Sequence, residues 1–173
     1  MAKPRARLAG KRIIVGLAAA CGVIVALTAL AAPAMTDDAP LIAGNAVVVD
    51  GDTIRIGPVS IRIHGIDAPE QDQTCDKRSG QKWRCGEAAT GAMSALVKGR
   101  TVECVSLDTD AYRRIVARCH AGDLDLGAEM VGRGFAWAYR RYSDDYAKAE
   151  GIARGNGRGI WQGEALPAWE YRA

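Results

Sequence analysis

Between Val48 and Glu70 the chain reads VVDGDTIRIGPVSIRIHGIDAPE, and this stretch restricts the fold more than any other. Asp50, Gly51, Asp52 and Thr53 form a tight turn in this reading: glycine adopts positive φ cheaply and aspartate bonds its own backbone. Val47 to Val49 before the turn, and Thr53 to Ile56 and Val59 to Ile66 after it, alternate as strands do, with Gly57 and Pro58 as a second turn. The expectation is a three-stranded meander. It would carry Asp52, Arg62, Asp67 and Glu70 on neighbouring strand ends.

The chain of 173 residues has room for one domain with appendages. Lys3, Arg5, Arg7, Lys11 and Arg12 precede an apolar run from Ile13 to about Met35, and no acidic residue occurs before Asp37. That pattern is an export signal or, since the run approaches the roughly 20 residues that span a bilayer, a signal anchor over residues 13–34. Small residues at Ala29–Ala31 and Ala32–Ala34 offer cleavage sites, whereas Cys21 lies mid-run and matches an acylation box poorly. Residues 1–34 are thus assigned to the signal or anchor, 35–42 to a linker and 43–173 to the domain. Either fate exports the domain to the periplasm or beyond, with the inner membrane as its anchor if the segment stays. Setting the five leader bases aside changes the formal charge from +3 to −2, with 18 basic against 20 acidic residues remaining. Attraction to nucleic acid must then be local.

Four cysteines follow the leader, Cys75, Cys85, Cys104 and Cys119, with no C-x-x-C pair and both histidines elsewhere. Export favours disulfides over zinc. Cys104 and Cys119 flank a hairpin turning near Ala111 and Tyr112, so a cross-strand bridge fits, and Cys75 to Cys85 then follows. Each would contribute about 3 kcal/mol in the chain-entropy view.

Gln71 to Arg84 reads as a loop and Glu87 to Val97 as a helix with Ala89, Met93, Leu96 and Val97 on one face. Thr101 to Leu107 and Ile115 to His120 read as strands, and Leu124 to Arg133 as a second helix with Asp123 or Asp125 near its start. Ser143 is placed to cap a third helix that Gly155 and Gly157 stop. The indoles from Trp161 to Trp169 are expected to pack back on the body. The string is mainly β with helices (α+β), five strands and three helices, and suits a small closed barrel; an open α+β sheet would give a similar string.

Taken singly, Asp-Gly-Asp-Thr is compatible with a mere hairpin turn and Asp-Ala-Pro-Glu with a loop start. Arg62 is different, because an arginine within an Ile-rich strand needs an anionic partner, a carboxylate or a bound phosphate. His64 and His120 read as structural or exposed. The segments VVDGDT, IRIHGIDAPE and DAYRRIVA, in this order and spacing, resemble the staphylococcal nuclease-like, or thermonuclease, domain over roughly Ala43 to Trp161. The resemblance implies a five-stranded OB-fold barrel with three helices and hydrolysis of phosphodiesters in DNA or RNA, leaving 3′-phosphate ends.

By position it implies Ca²⁺ held by Asp52, Asp67 and the Ala68 carbonyl, oxygen donors suited to a hard cation. Glu70 would hold or deprotonate the attacking water, and Arg62 and Arg114 would clamp the phosphate and stabilise its transition state. Tyr112 and Tyr139 match nucleotide-contacting tyrosines, Tyr139 across a one-residue gap. Three positions depart from the pattern: Arg113 stands where glycine is usual, Ala111 where a phosphate-contacting lysine is familiar, and Ala68 where threonine is, although the ligand there is backbone. The competing reading is a nuclease-like module that binds nucleic acid or a protein partner without turnover. A monomer is expected.

Overall fold

A computed structural model describes residues 41–173. The signal or anchor segment and nearly all of the assigned linker lie outside the described residues. Strand β1 (Leu41–Val48) is the first described element and alternates exposed with half-buried residues. Its first half pairs antiparallel with a later strand, β7 (Thr101–Thr109), and its second half with β2 (Thr53–Ile56). One strand thus serves two neighbours, which a barrel requires. Next, β2 pairs with β3 (Val59–Ile63), and β3 lies parallel to β8 (Ile115–Ala121), the antiparallel partner of β7. The ladder closes on itself, so the five strands form a barrel and the open-sheet alternative is excluded.

The expected strand from Val59 to Ile66 is broken. At His64 and Gly65 the chain turns, with Gly65 at φ 74°, and resumes as β4 (Ile66–Asp67). That strand pairs with β10 (Trp137–Ala138), placing Asp67 opposite Trp137 on a separate two-stranded ladder. The loop from Gln71 to Arg84 contains a small hairpin, β5 (Cys75–Asp76) with β6 (Lys82–Trp83). Helix α1 (Cys85–Val97) follows, extending the expected helix by two residues at its start.

Strand β9 (Leu124–Asp125) pairs with β8, and α2 (Leu126–Gly132) starts later than Leu124 because Asp125 is its N-cap, accepting the Ala128 N–H at 2.9 Å. Ser143 does not cap α3 (Ala147–Gly155): its hydroxyl accepts the Asp145 N–H at 3.0 Å in a local turn, and the helix begins beyond it. A 3₁₀ turn at Gly159–Gln162 and a fourth, single-turn helix α4 (Ala168–Tyr171) complete the described elements.

The barrel core is branched aliphatic: Ile54, Ile61, Ile63, Ile66 and Val102 are buried against Met93 of α1 and Leu126, Met130 and Val131 of α2. Burying each such side chain contributes about 1.5–3 kcal/mol. A second cluster gathers Cys75, Cys85, Trp137, Ile160 and Ala168, with Trp83, Trp161 and Trp169 against it. The tail indoles do pack on the body. Both expected disulfides form: Cys104 faces Cys119 across the β7–β8 ladder, and Cys75 joins Cys85 at the start of α1. Among the described residues no helix is long and apolar enough to cross a membrane.

Candidate active site

The turn after β1 aims its carboxylates inward. Asp50 accepts the Asp52 N–H at 3.0 Å, the local bond expected of an aspartate turn. Gly51 does not adopt positive φ. What it supplies is space, since a Cβ there would meet Ala68 Cβ at 2.6 Å and Ala89 Cβ at 2.9 Å. The turn can therefore lie flat on the Ala68 segment, where the Ala68 N–H reaches Asp52 Oδ2 at 3.0 Å.

Arg62 projects from β3 between two aspartates, with Nη1 2.8 Å from Asp52 Oδ1 and Nη2 2.5 Å from Asp67 Oδ1. Asp52 and Asp67 are buried, so the guanidinium has the anionic partners its place in an apolar strand demanded. Burial lowers the Arg62 pKa, but Asp52 and Asp67 outweigh it and the net shift is upward. The Asp52 carboxyl is pushed up to about 7, chiefly by burial and further by the charges of Asp50 and Asp67, against the opposing pull of Arg62 and the Ala68 N–H. One arginine between two aspartates leaves Asp52 short of positive charge.

Arg114 arrives from the start of β8, the strand beside β3. Its Nη1 is 3.4 Å from Thr53 Oγ1, and that hydroxyl bonds Asp52 Oδ1 at 3.0 Å. Asp110 aims it, accepting Arg114 Nε at 2.7 Å and the Arg114 and Tyr112 N–H groups at 2.9 Å each. Arg113 takes φ 64°, the left-handed conformation glycine would adopt. The substitution keeps the turn and leaves the strain in it. Tyr112 is exposed, and the Arg114 guanidinium lies 5.4 Å from its ring centre.

Glu70 is fixed from behind. Buried Gln73 takes the Glu70 N–H at 3.1 Å and donates to the Leu166 carbonyl at 2.6 Å, tying the segment to the tail. The start of α1 abuts the Glu70 carbonyl, where a Cβ on Gly86 would come within 1.7 Å. In front, Arg172 Nη1 meets Glu70 Oε1 at 2.5 Å, and Arg172 Nη2 meets Asp67 Oδ2 at 2.9 Å and Oδ1 at 3.2 Å. Burial opposes the Arg172 charge, but Glu70 and Asp67 outweigh it and hold the guanidinium more firmly protonated. Sequence reasoning missed both Gln73 and Arg172. No spacing marks them, and only the expected docking of the tail hints at either.

The structure thus gathers Asp52, Arg62, Asp67, Ala68, Glu70 and Arg114 at one end of the barrel. The donor set is all oxygen, which suits a hard cation. Among the described residues no group of three or more His, Cys, Asp or Glu is already arranged around a metal position. Arg62 and Arg172 both sit on Asp67.

Tyr139 lies apart from Tyr112, beside the β4–β10 ladder. Its N–H bonds the Gly65 carbonyl at 2.8 Å, and its ring stands 5.5 Å from Trp169 and 5.2 Å from Tyr142. With Trp137, Trp161 and Trp169 it lines a pocket of about 460 Å³, edged by Arg140, Arg141 and Arg154. Trp137, one wall of this pocket, is opposite Asp67 in the ladder. His64 bonds Ala117 through its backbone only, and His120 lies 3.8 Å from Asp125 on the far ladder.

Residues 60–163 match the family described as staphylococcal nuclease homologue. The chain is similar to the succinoglycan biosynthesis protein ExoI of Rhizobium meliloti (strain 1021), 36% identical over 144 residues, covering 78% of this chain and 74% of that protein. It is similar also to an "Uncharacterized endonuclease" of Haemophilus influenzae, 31% identical over 121 residues, 66% of this chain and 62% of the other. A third relative, "Probable staphylococcal-like nuclease CAN2" of Oryza sativa subsp. japonica, is 30% identical over 65% of this chain and 28% of its own length. A barrel closed by β3 and β8, a carboxylate and arginine cluster at its end and these matches together place the chain in the staphylococcal nuclease homologue family, and it is a nuclease.

Proposed function

We propose that the protein is a Ca²⁺-dependent phosphodiesterase of DNA, RNA or both, working at the Asp52–Arg62–Asp67–Glu70–Arg114 cluster. The observation that carries the reading is the bridging of Asp52 and Asp67 by Arg62 while Arg114 reaches Asp52 through Thr53. Two guanidinia from neighbouring strands, distant in sequence, converge on buried carboxylates, the charge pattern that a phosphate diester bound beside a cation needs. Asp52, Asp67 and the Ala68 carbonyl would hold Ca²⁺, which supplies charge stabilisation at a phosphate oxygen.

Glu70 is the water-facing carboxylate, half-exposed where Asp67 is sealed, and its backbone is pinned by Gln73. It orients the water and takes its proton as the water oxygen bonds to phosphorus. The bond from phosphorus to the 5′ oxygen breaks, leaving a 3′-phosphate and a 5′-hydroxyl once that oxygen is protonated. Arg62 and Arg114 stabilise the charge gathering on the phosphate oxygens. The pocket of Trp137, Tyr139 and Trp169, whose Trp137 lies opposite Asp67 in the ladder, suits an unstacked base next to the cleaved bond, and its arginines suit the backbone. Export to the periplasm or the cell exterior is part of the proposal, supported by the basic-then-apolar leader and the two disulfides.

The full-length protein is to be incubated with DNA and with RNA in Ca²⁺, Mg²⁺ or chelator, beside Glu70→Ala. Hydrolysis in Ca²⁺ that stops with chelator and falls about 10²- to 10⁴-fold in Glu70→Ala is expected. Undiminished hydrolysis by Glu70→Ala overturns the mechanism, and tight oligonucleotide binding without hydrolysis in any metal favours a non-catalytic module.

A further inference from the structure

Asp67 is sealed from solvent, and both its oxygens are already engaged. Oδ1 takes Arg62 at 2.5 Å and Arg172 at 3.2 Å, while Oδ2 takes Arg172 at 2.9 Å. The same Arg172 guanidinium reaches Glu70 at 2.5 Å. It therefore spans a proposed cation ligand and the proposed water-activating carboxylate with one planar fork. A divalent cation approaching Asp67 meets that fork first, because Arg172 already occupies Oδ2 and a metal ion added beside two guanidinia would be repelled by both.

The two arginines on Asp67 are held differently. Arg62 is largely buried, sits within a barrel strand and is also bonded to Asp52, whereas the Arg172 side chain is 42% exposed and follows a single-turn helix. Arg172 is the one that can leave. Its helix is seated by buried Ala168 and by Trp169 against Trp137 and Tyr139, so departure needs only a side-chain swing and no undocking of the tail.

We propose that Arg172 is an internal counter-ion of the carboxylate cluster, which a divalent cation must displace from Asp67 and Glu70 before the site is competent. The inference rests on the reading of Asp52 and Asp67 as cation ligands. It makes Arg172 a positioning residue that sets metal affinity: only the fraction of molecules with the fork withdrawn binds the cation at full strength. Its withdrawal also frees Glu70 Oε1, the oxygen that the guanidinium occupies, for the attacking water.

Ca²⁺ binding to the full-length protein, measured by titration calorimetry without nucleic acid, tests this in Arg172→Gln and Arg172→Ala. Both variants should bind Ca²⁺ about three- to tenfold more tightly than the parent, a range kept modest because the guanidinium is partly exposed and screened. Their metal-free melting temperatures should fall, and the rise in melting temperature on adding Ca²⁺ should exceed the parent's. Arg172→Lys keeps the charge without the fork and should lie between, which serves the test if a neutral variant fails to fold. Equal or weaker Ca²⁺ binding in folded variants overturns the inference while leaving the cation site standing. Unchanged Ca²⁺ binding with weakened binding of an oligonucleotide in Ca²⁺ makes Arg172 a phosphate ligand instead and also overturns it. No Ca²⁺ binding by parent or variants overturns the cation reading itself.

Discussion

The turns Asp50–Thr53 and Asp110–Arg114 both deliver charge to the same end of the barrel, and both use an aspartate that accepts backbone N–H groups. They differ in what stands beside that aspartate. In the first, Gly51 has ordinary φ and is there for lack of a Cβ, because Ala68 and Ala89 press on it. In the second, a long side chain, Arg113, occupies φ 64° where glycine would rest without strain. A glycine can thus be required for room where it is not required for conformation, and dispensable for conformation where room is ample. The buried turn fixes the aspartates; the exposed one needs only to aim Arg114, and Asp110 does that.

Filling the first turn should have the largest effect. Gly51→Val would push Ala68 away from Asp52, costing about 1–3 kcal/mol by overpacking, and would disable the site even in protein that folds. Thermal denaturation beside nuclease assays checks this, and an active, stable Gly51→Val protein would break the contrast.

Asp110→Asn comes next, expected to cost about 1–2 kcal/mol and to lower turnover by loosening Arg114. The pH dependence follows from the sign of the Asp110 shift. Burial raises its pKa, but the Arg114 N–H and guanidinium and the Tyr112 N–H outweigh this and hold it below the usual carboxylate value. A depressed folded pKa contributes stability that is present above the unfolded value near 3.8 and lost as pH falls through the lower folded value. The gap in melting temperature between parent and Asp110→Asn should therefore be full at neutral pH and shrink below about pH 4.

Arg113→Gly should show the smallest change and the opposite sign. Removing the left-handed strain should stabilise the folded state by up to about 1 kcal/mol, partly offset by the freedom glycine gains when unfolded, with activity retained. A large loss of activity would mean that the Arg113 side chain itself contacts substrate.

Much of the fold was legible because its determinants are local. Alternation in Val59–Ile63, the helical face of Ala89, Met93, Leu96 and Val97, and glycine or proline at turns are period and φ preferences carried by a few neighbouring residues. The Cys104–Cys119 bridge followed from the same reasoning, since a hairpin puts its flanks opposite each other. The break at His64–Gly65 was not legible, because Ile63 and Ile66 both look inward and only pairing with Trp137–Ala138 shows that they belong to different ladders. Ser143 looked like a cap for the same local reason that made it a turn residue, and packing chose between the two.

The chain by itself determined which charges enter the site: Asp52, Arg62, Asp67 and Glu70 lie within one short β-patterned segment whose side-chain directions follow from alternation and turns. Only tertiary structure decided how those charges are balanced. Arg114 is brought beside Arg62 by the β3–β8 pairing and aimed by Asp110, Gln73 ties Glu70 to the Leu166 carbonyl, and Arg172 spans 105 residues of sequence to cap Asp67. Charge compensation in a buried place depends on distance through space, and no periodicity along the chain records which remote guanidinium the fold will bring within 3 Å of a carboxylate.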